Sequence, residues 1–450
     1  MTPLGEPGKF WAMERPNILF LFPDQWRWDF LGCGEEGIPV RTPHLDALAR
    51  RGVRFTQCRT NAPVCAPARA CLVEGLRFER AGVPHNNVST DPGARTYMKQ
   101  LQAVGYHTAG CGKFDLFKPE HFRGLEGWTD NLGEIGFTRA YDQSGKFDCA
   151  TNGWPEPQDF YSSYLHEQGL MRTHVEDYRR RKENRESGAC GAWPTPLPRE
   201  AHTDEFTTRN ALRLLDELPG DAPWYLWVNF PGPHDPFDPP EEIYRRYAAV
   251  DFPPPVNPDP SADPDEVLHQ RRSYAACCEH IDELCGRILA KVEERGELEH
   301  TVIVFCSDHG EMLGDHGRWN KQVPQEGSVR VPLIVAGPGV EASGAVNNAP
   351  VELIDLAETI TDCAGADAIP GWDSRSLKPV LEDPRRAHRT VTLSALNDWR
   401  SACDGRAKLI LRNGVPEALY DLRDDPREEQ NRLGSTPESA WRHLLDALRS

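Results

Sequence analysis

The stretch Asn17–Gln25, NILFLFPDQ, decides the fold class. Ile18 to Phe22 form an unbroken apolar run, too short for a helix and without the alternation of a half-buried strand. It therefore reads as a strand covered on both faces, as in a parallel sheet. Four further runs have the same texture: HTAGCG (107–112), WYLWVNF (224–230), TVIVF (301–305) and PLIVAG (332–337). All five are read as buried parallel strands. Helix-period segments at Pro43–Arg51, Thr203–Leu218 and Ser273–Arg295 lie between them. Strands alternating with helices predict an α/β fold, a large mixed and mostly parallel sheet sandwiched by helices.

Outward from these strands the texture changes three times. Residues 117–200 and 251–266 break the alternation and are expected to be insertions that shape a pocket. From 370 onward, TVTLSA, AKLILRNG and ALYDL predict short antiparallel strands, followed by a helix from Pro437 to Leu448. This divides the chain into an α/β domain at 1–369 and a small α+β subdomain at 370–450.

At 450 residues, with 39% hydrophobic and 27% charged residues and a mean hydropathy of -0.59, the chain has the composition of a globular, soluble protein. No apolar run approaches the ~20 residues of a membrane-spanning helix, so no membrane partner is expected. A net charge of -18 opposes nucleic-acid binding, and a solvated helix face is our reading of the basic run Arg179–Lys182. The opening MTPLGEPGKFWAMERPN lacks the layout of a secretory leader, which predicts a cytoplasmic location; a removed leader or a start at Met13 is the alternative. Thirteen cysteines without a C-x-x-C pair read mainly as reduced core residues.

Ligands of an open parallel sheet bind past the carboxyl ends of its strands. There this sequence places Asp24-Gln25, then Lys113 and Asp115, then His234, then Asp308-His309. Asp24, Gln25, Asp308 and His309 make an oxygen-rich set with one nitrogen, suited to a hard divalent cation. Ca2+ is favoured, with Mn2+ or Mg2+ as the alternative. Strand-end Asp and His residues also cap helices, so the weight lies on their convergence.

The segment Asn61–Arg77, NAPVCAPARACLVEGLR, resembles the maturation motif of type I sulfatases, C-x-P-[SA]-R followed by L-x-T-G. It matches at Cys65, Pro67, Ala68, Arg69, Leu72 and Gly75, and departs at Glu74. VNFPGPHDPFDPP, SDHGEMLGDHGRWNKQ and ALYDLRDDPREEQNRL are similar to further family segments, which implies a member of the alkaline phosphatase superfamily. The resemblance implies that a formylglycine-generating enzyme oxidises Cys65 to formylglycine (3-oxoalanine). Asp24, Gln25, Asp308 and His309 would then hold the metal together with that residue. It also implies that Arg69 stabilises the formylglycine, that Lys113 and Lys321 contact the transferring group, and that His234 protonates the leaving alcohol.

The activity so implied is hydrolysis of a sulfate ester, of a sulfated carbohydrate, oligosaccharide or other small anionic molecule. Gln25 with Asp308-His309 also resembles choline sulfatases and phosphonate or phosphodiester hydrolases, the alternative activity; a non-catalytic binding homologue is the remaining reading. The family's Gly-Lys-x-His is Gly112-Lys113-Phe114-Asp115 here, so Asp115 is expected to replace a histidine, either pairing with Lys113 or accepting a proton. Asp142 and Lys146, in AYDQSGKFD, are expected to line the entrance and read the substrate.

Overall fold

The computed structural model describes residues 15–185, 189–341 and 343–449, so the leader reading of residues 1–14 lies outside the described residues. Among the described residues fourteen strands are seen: β1 (Asn17–Asp24), β2 (Gly52–Phe55), β3 (Cys58–Arg59), β4 (His107–Gly112), β5 (Arg139–Asp142), β6 (Trp224–Pro233), β7 (Thr301–Cys306), β8 (Leu333–Ala336), β9 (Ala345–Asn347), β10 (Val351–Glu352), β11 (Thr392–Leu396), β12 (Trp399–Cys403), β13 (Ala407–Arg412) and β14 (Val415–Asp421). Eight form one sheet in the order β5-β4-β6-β1-β7-β8-β2-β9. β1 sits near its centre, paired in parallel with β6 and β7.

Alternation along a strand sends side chains to opposite faces, and here each face has its own core. Leu19 and Leu21 join Leu226, Val228, Ile303 and Phe305 beneath the long helix Pro264–Glu294. Ile18, Phe20 and Phe22 join Trp227, Val302 and Val304 on the face covered by helices Tyr97–Ala103 and Asp355–Cys363. Sandwiched in this way, the strands need no polar face, which is why their sequences are continuously apolar.

Some expectations are corrected. β8, read as parallel, runs antiparallel to both β7 and β2; a buried antiparallel strand has the same apolar texture, so composition cannot tell the two apart. The 117–200 region contributes β5 to the sheet edge and carries helices, among them Phe160–Glu167 and Met171–Glu183. The 251–266 loop gives way to helix at Pro264, where Asp263 accepts from the Asp265 N–H at 3.0 Å and Pro264 takes the first helical turn. The terminal helix breaks at Trp441 into a 3-10 turn, Glu438–Ala440, and an α-helix, Arg442–Arg449. Among the described residues no helix is long and apolar enough to cross a membrane.

Strands β11–β14 form the small antiparallel sheet, backed by Leu444 and Leu445 of the last helix. This sheet supports the loop that leads to Cys65. The Ala395 N–H donates to the Asn61 carbonyl at 2.9 Å, and Leu396 and Trp399 pack with Val64. A buried ion network adds to the join: Lys408 pairs with Glu326 at 2.9 Å and with Glu428 at 2.8 Å, and Glu326 also binds Arg59.

The end of β4 shows how tightly the rim is built. Gly112 has φ +99°, and a Cβ there would lie 1.9 Å from the Asn229 carbonyl oxygen, to which the Lys113 N–H donates at 3.0 Å. Gly112→Ala is therefore expected to destabilise the fold by about 2–4 kcal/mol, as a drop in the midpoint of thermal or denaturant unfolding. An unchanged midpoint would show that this junction can relax.

Candidate active site

Cys65 opens the helix Cys65–Glu74, whose amino end faces the rim. The helix closes at Gly75, at φ +62°, where a Cβ would meet Trp372 at 2.8 Å; this is the physical reason for glycine at that motif position. Cys71 points into a small apolar cluster with Ala70 and Ile354 and takes no part in the rim.

Around Cys65 the rim residues converge. Ligand atoms of Asp24, Cys65, Asp308 and His309 lie within 4.8 Å of one another, all buried. The sulfur is 3.3 Å from His309 Nε2 and 3.7 Å from Asp24 Oδ1, with Lys113 Nζ at 3.5 Å. The His309 Nδ1–H donates to the Gly310 carbonyl at 3.1 Å, which assigns the proton to Nδ1 and leaves Nε2 as a free donor atom for a cation. Burial lowers the pKa of His309 and so favours the neutral ring that a metal requires. Two carboxylates and an imidazole with no apolar side chain among them fit a divalent cation.

Arg69 lies one helical turn beyond Cys65 and is wholly buried. Its Nε donates to Asp308 Oδ2 at 3.0 Å, its Nη2 to Asp24 Oδ2 at 3.1 Å and its Nη1 to Asn229 Oδ1 at 2.9 Å. Its guanidinium also stacks 5.2 Å above the Phe22 ring. Lys113 Nζ pairs with Asp24 Oδ2 at 2.6 Å. Despite burial, the charges of Lys113 and Arg69 hold Asp24 well below the usual carboxylate range. Burial and the Asp24 carboxylate push the Cys65 thiol up to about 11, so at neutral pH the unmodified sulfur is a poor nucleophile.

On the opposite wall, His234 Nδ1 donates to the Asp235 carbonyl at 2.7 Å, and Lys321 Nζ reaches His234 Nε2 at 2.6 Å. Burial and the Lys321 charge push the His234 pKa well below its ordinary value, leaving a neutral ring that accepts from the lysine. Gln25 completes the wall: its N–H donates to Asp308 Oδ1 at 3.0 Å, and its side-chain oxygen accepts from Lys321.

Of the two roles expected of Asp115, the structure favours one. Its φ of 51° shows that the loop is not extended there. Its side chain nevertheless reaches Lys113 at 3.3 Å, and it is shared with Lys118 at 2.7 Å and Arg123 at 3.4 Å. Lys113, Lys118 and Arg123 outweigh burial and hold Asp115 far below the carboxylate range, so it pairs with Lys113 and is a very weak base.

Asp142 and Lys146 are corrected, since both are buried in internal pairs. Asp142 accepts from Arg123 at 3.1 Å and from the Phe114 N–H at 3.3 Å; Lys146 pairs with Asp238 at 2.5 Å and donates to the Pro236 carbonyl at 3.2 Å. They brace the Lys113 and His234 loops. In the basic run, Arg181 is buried against Asp177 at 2.6 Å while Arg179, Arg180 and Lys182 are exposed. A second buried set, His202, Asp204 and His280, is satisfied internally: His202 caps the helix Thr203–Glu217, Asp204 accepts from the Gly232 N–H at 2.9 Å, and His280 meets Glu205 at 3.4 Å.

Sequence reading missed Asn229, Lys118, Arg123 and Glu311. Asn229 is the one polar residue near the end of the WYLWVNF run and so carried a strand-end signal; Lys118 and Arg123 lie in the region taken for an insertion and carried none. If Asp115 acts only through its ion pairs, Asp115→Asn should slow turnover by less than about 10²-fold and leave the shape of the pH–rate profile unchanged. Loss of one limb of that profile would restore its role as a base.

A family model described as Sulfatase matches residues 16–366, and a second, N-sulphoglucosamine sulphohydrolase, C-terminal, matches residues 314–448. An arylsulfatase of Clostridium perfringens is 26% identical, the match covering 97% of this chain and 93% of the relative. A phosphonate monoester hydrolase of Agrobacterium radiobacter superposes with a TM-score of 0.78 at 25% identity, covering 97% of this chain and 95% of that one. A protein solved with its substrate D-glucosamine-2-N,6-O-disulfate superposes with a TM-score of 0.76 at 21% identity, covering 97% of each chain. With the family model spanning the eight-stranded sheet and the whole rim, the chain belongs to the sulfatase family.

Proposed function

We propose that this chain is a sulfuric ester hydrolase acting on a sulfated carbohydrate or other small organic sulfate, with Cys65 as the residue matured for attack. One observation carries the proposal: the Cys65 sulfur lies among Asp24, Asp308 and His309 with Lys113 Nζ at 3.5 Å. The donor set supports a divalent cation, for which we favour Ca2+, with Mn2+ or Mg2+ as the alternative. When bound, that cation would polarise the sulfate oxygens as a Lewis acid. Oxidised to formylglycine by a maturing enzyme and hydrated by one water, Cys65 would supply two hydroxyls on one carbon, one to attack sulfur and the other to release sulfate as the aldehyde re-forms.

The remaining work falls to fixed side chains. Lys113 and Lys321 face the sulfate from two walls and hold charge on its non-bridging oxygens. Arg69 fixes Asp24 and Asp308 in place. As the ester S–O bond breaks, the leaving oxygen takes a proton from the His234–Lys321 pair, a role that their 2.6 Å contact supports. The arylsulfatase relative supports the ester class, and the glucosamine disulfate bound by the structural neighbour supports a sugar sulfate.

A phosphonate monoester or phosphodiester is the second reading, favoured by Gln25 beside Asp308-His309 and by the likeness to the phosphonate monoester hydrolase. Aryl sulfate is expected to be turned over with the higher kcat/KM; a strong preference for the aryl phosphonate would reverse the assignment.

Mass spectrometry of the peptide spanning Asn61–Arg69 should show loss of the thiol in favour of an aldehyde. Cys65→Ala should remove turnover with an unchanged unfolding midpoint, while Cys71→Ala remains active; near-normal activity of Cys65→Ala would defeat the proposal. Asp308→Ala should lose both the divalent ion and activity, and full occupancy by elemental analysis would show that the ion binds elsewhere.

A further inference from the structure

Glu311 has no part in the chemistry above, yet it holds together two residues that do. Its side chain is 1% exposed. One carboxylate oxygen, Oε1, accepts from the Asn320 N–H at 2.6 Å and the Leu313 N–H at 3.0 Å. The other, Oε2, accepts from Gln25 Nε2.

A primary amide has two ends of nearly the same shape and opposite hydrogen-bonding character. Its neighbours therefore decide which end turns where: the Lys321 ammonium, which can only donate, lies against the oxygen, and Glu311 Oε2, on a carboxyl whose other oxygen already accepts two backbone N–H groups, lies against the nitrogen. Glu311 takes Gln25 Nε2, Asp235 Oδ1 lies 3.5 Å from the same nitrogen, and Oε1 is left to face Lys321. Lys321 Nζ also reaches His234 Nε2 at 2.6 Å, so Gln25 Oε1 is turned toward the lysine and histidine of the candidate site. The Gln25 backbone cannot swing to compensate, being at φ 69° with its N–H held by Asp308.

The second hold is on the loop that carries Lys321. Asn320 and Gln322 bracket the lysine at φ 65° and 77°, a conformation that costs a non-glycine residue energy and persists only where neighbours impose it. Glu311 binds the Asn320 N–H at that strained turn.

We propose that Glu311 is a positioning residue that presents the Gln25 carbonyl oxygen, rather than its NH2 group, to the cation site and to Lys321, and that Gln25 and Glu311 form a matched pair. The inference rests on the reading of Asp24, Asp308 and His309 as that cation site. A carboxylate at position 25 would add a negative ligand, but it would also stand against Glu311 and Asp235 with no donor to offer either. Gln25 suits this pocket because it offers an oxygen on one side and a donor on the other.

The test is a cycle of three variants, Glu311→Gln, Gln25→Glu and the two combined. Equilibrium dialysis of the full-length protein against Mn2+ supplies the readout, with Asp308→Ala as control. Glu311→Gln lets position 311 donate and the Gln25 amide reverse, so Mn2+ affinity should fall about 10- to 100-fold while the unfolding midpoint changes little. Gln25→Glu alone should gain no affinity despite the added charge. The combined variant should bind Mn2+ more tightly than either single one, because the amide at 311 then donates to the new carboxylate.

Wild-type affinity in Glu311→Gln, or tighter binding by Gln25→Glu alone, would overturn the proposal. So would additive losses in the combined variant. Should Glu311→Gln not fold, Gln25→Glu decides on its own. Failure of the wild type to bind Mn2+ in a way that depends on Asp308 would instead overturn the cation site, and the pairing with it.

Discussion

The buried bridge from Arg69 to Asp24 and Asp308 is the interaction on which the rest of this structure depends. The two carboxylates end different strands, β1 and the loop after β7, and all three groups are fully excluded from water. Left alone, two buried carboxylates at this separation would repel each other and the site would open. One planar guanidinium, presented by the helix that begins at Cys65, satisfies both and ties the maturing residue to them. Breaking such an arrangement by removing one partner typically costs about 3–5 kcal/mol, because the remaining charges stay buried.

Seen from that bridge, the positive charge of the rim has a clear purpose in a chain of net charge -18. Lys113 and Lys321 supply the local field that an anionic substrate needs, against the repulsion of the molecule as a whole. Lys113 is itself held between Asp24 and Asp115, and Asp115 by Lys118 and Arg123. An alternating chain of charges thus runs from the reacting centre into the 117–200 region, whose Lys118 and Arg123 support the site.

The small antiparallel sheet contributes from the other side. By binding the Asn61 carbonyl and packing on Val64, it fixes the approach to Cys65, and the indole N–H of Trp399 donates to the Gln322 carbonyl at 3.1 Å beside Lys321. Two of the catalytic candidates are therefore braced by a sheet that carries none of them.

What the sequence by itself determined were the features encoded by local pattern. Continuous apolar runs marked β1, β4, β6 and β7, because a strand buried on both faces has no polar side to show. The polar residues just after those runs were Asp24, Gln25, Lys113, His234, Asp308 and His309, because a parallel sheet delivers its strand ends to one rim. Only the tertiary structure decided the direction of β8, the membership of β5, the pairing of Asp142 and Lys146 inside the protein, and the part played by Glu311. Each of these depends on which distant group lies opposite, at separations of up to 286 residues for Gln25 and Glu311, and no local pattern records that. The same reason explains Asp115: its position in the chain put it near Lys113, but its acidity was set by Lys118 and Arg123, which the fold brought to the same carboxylate.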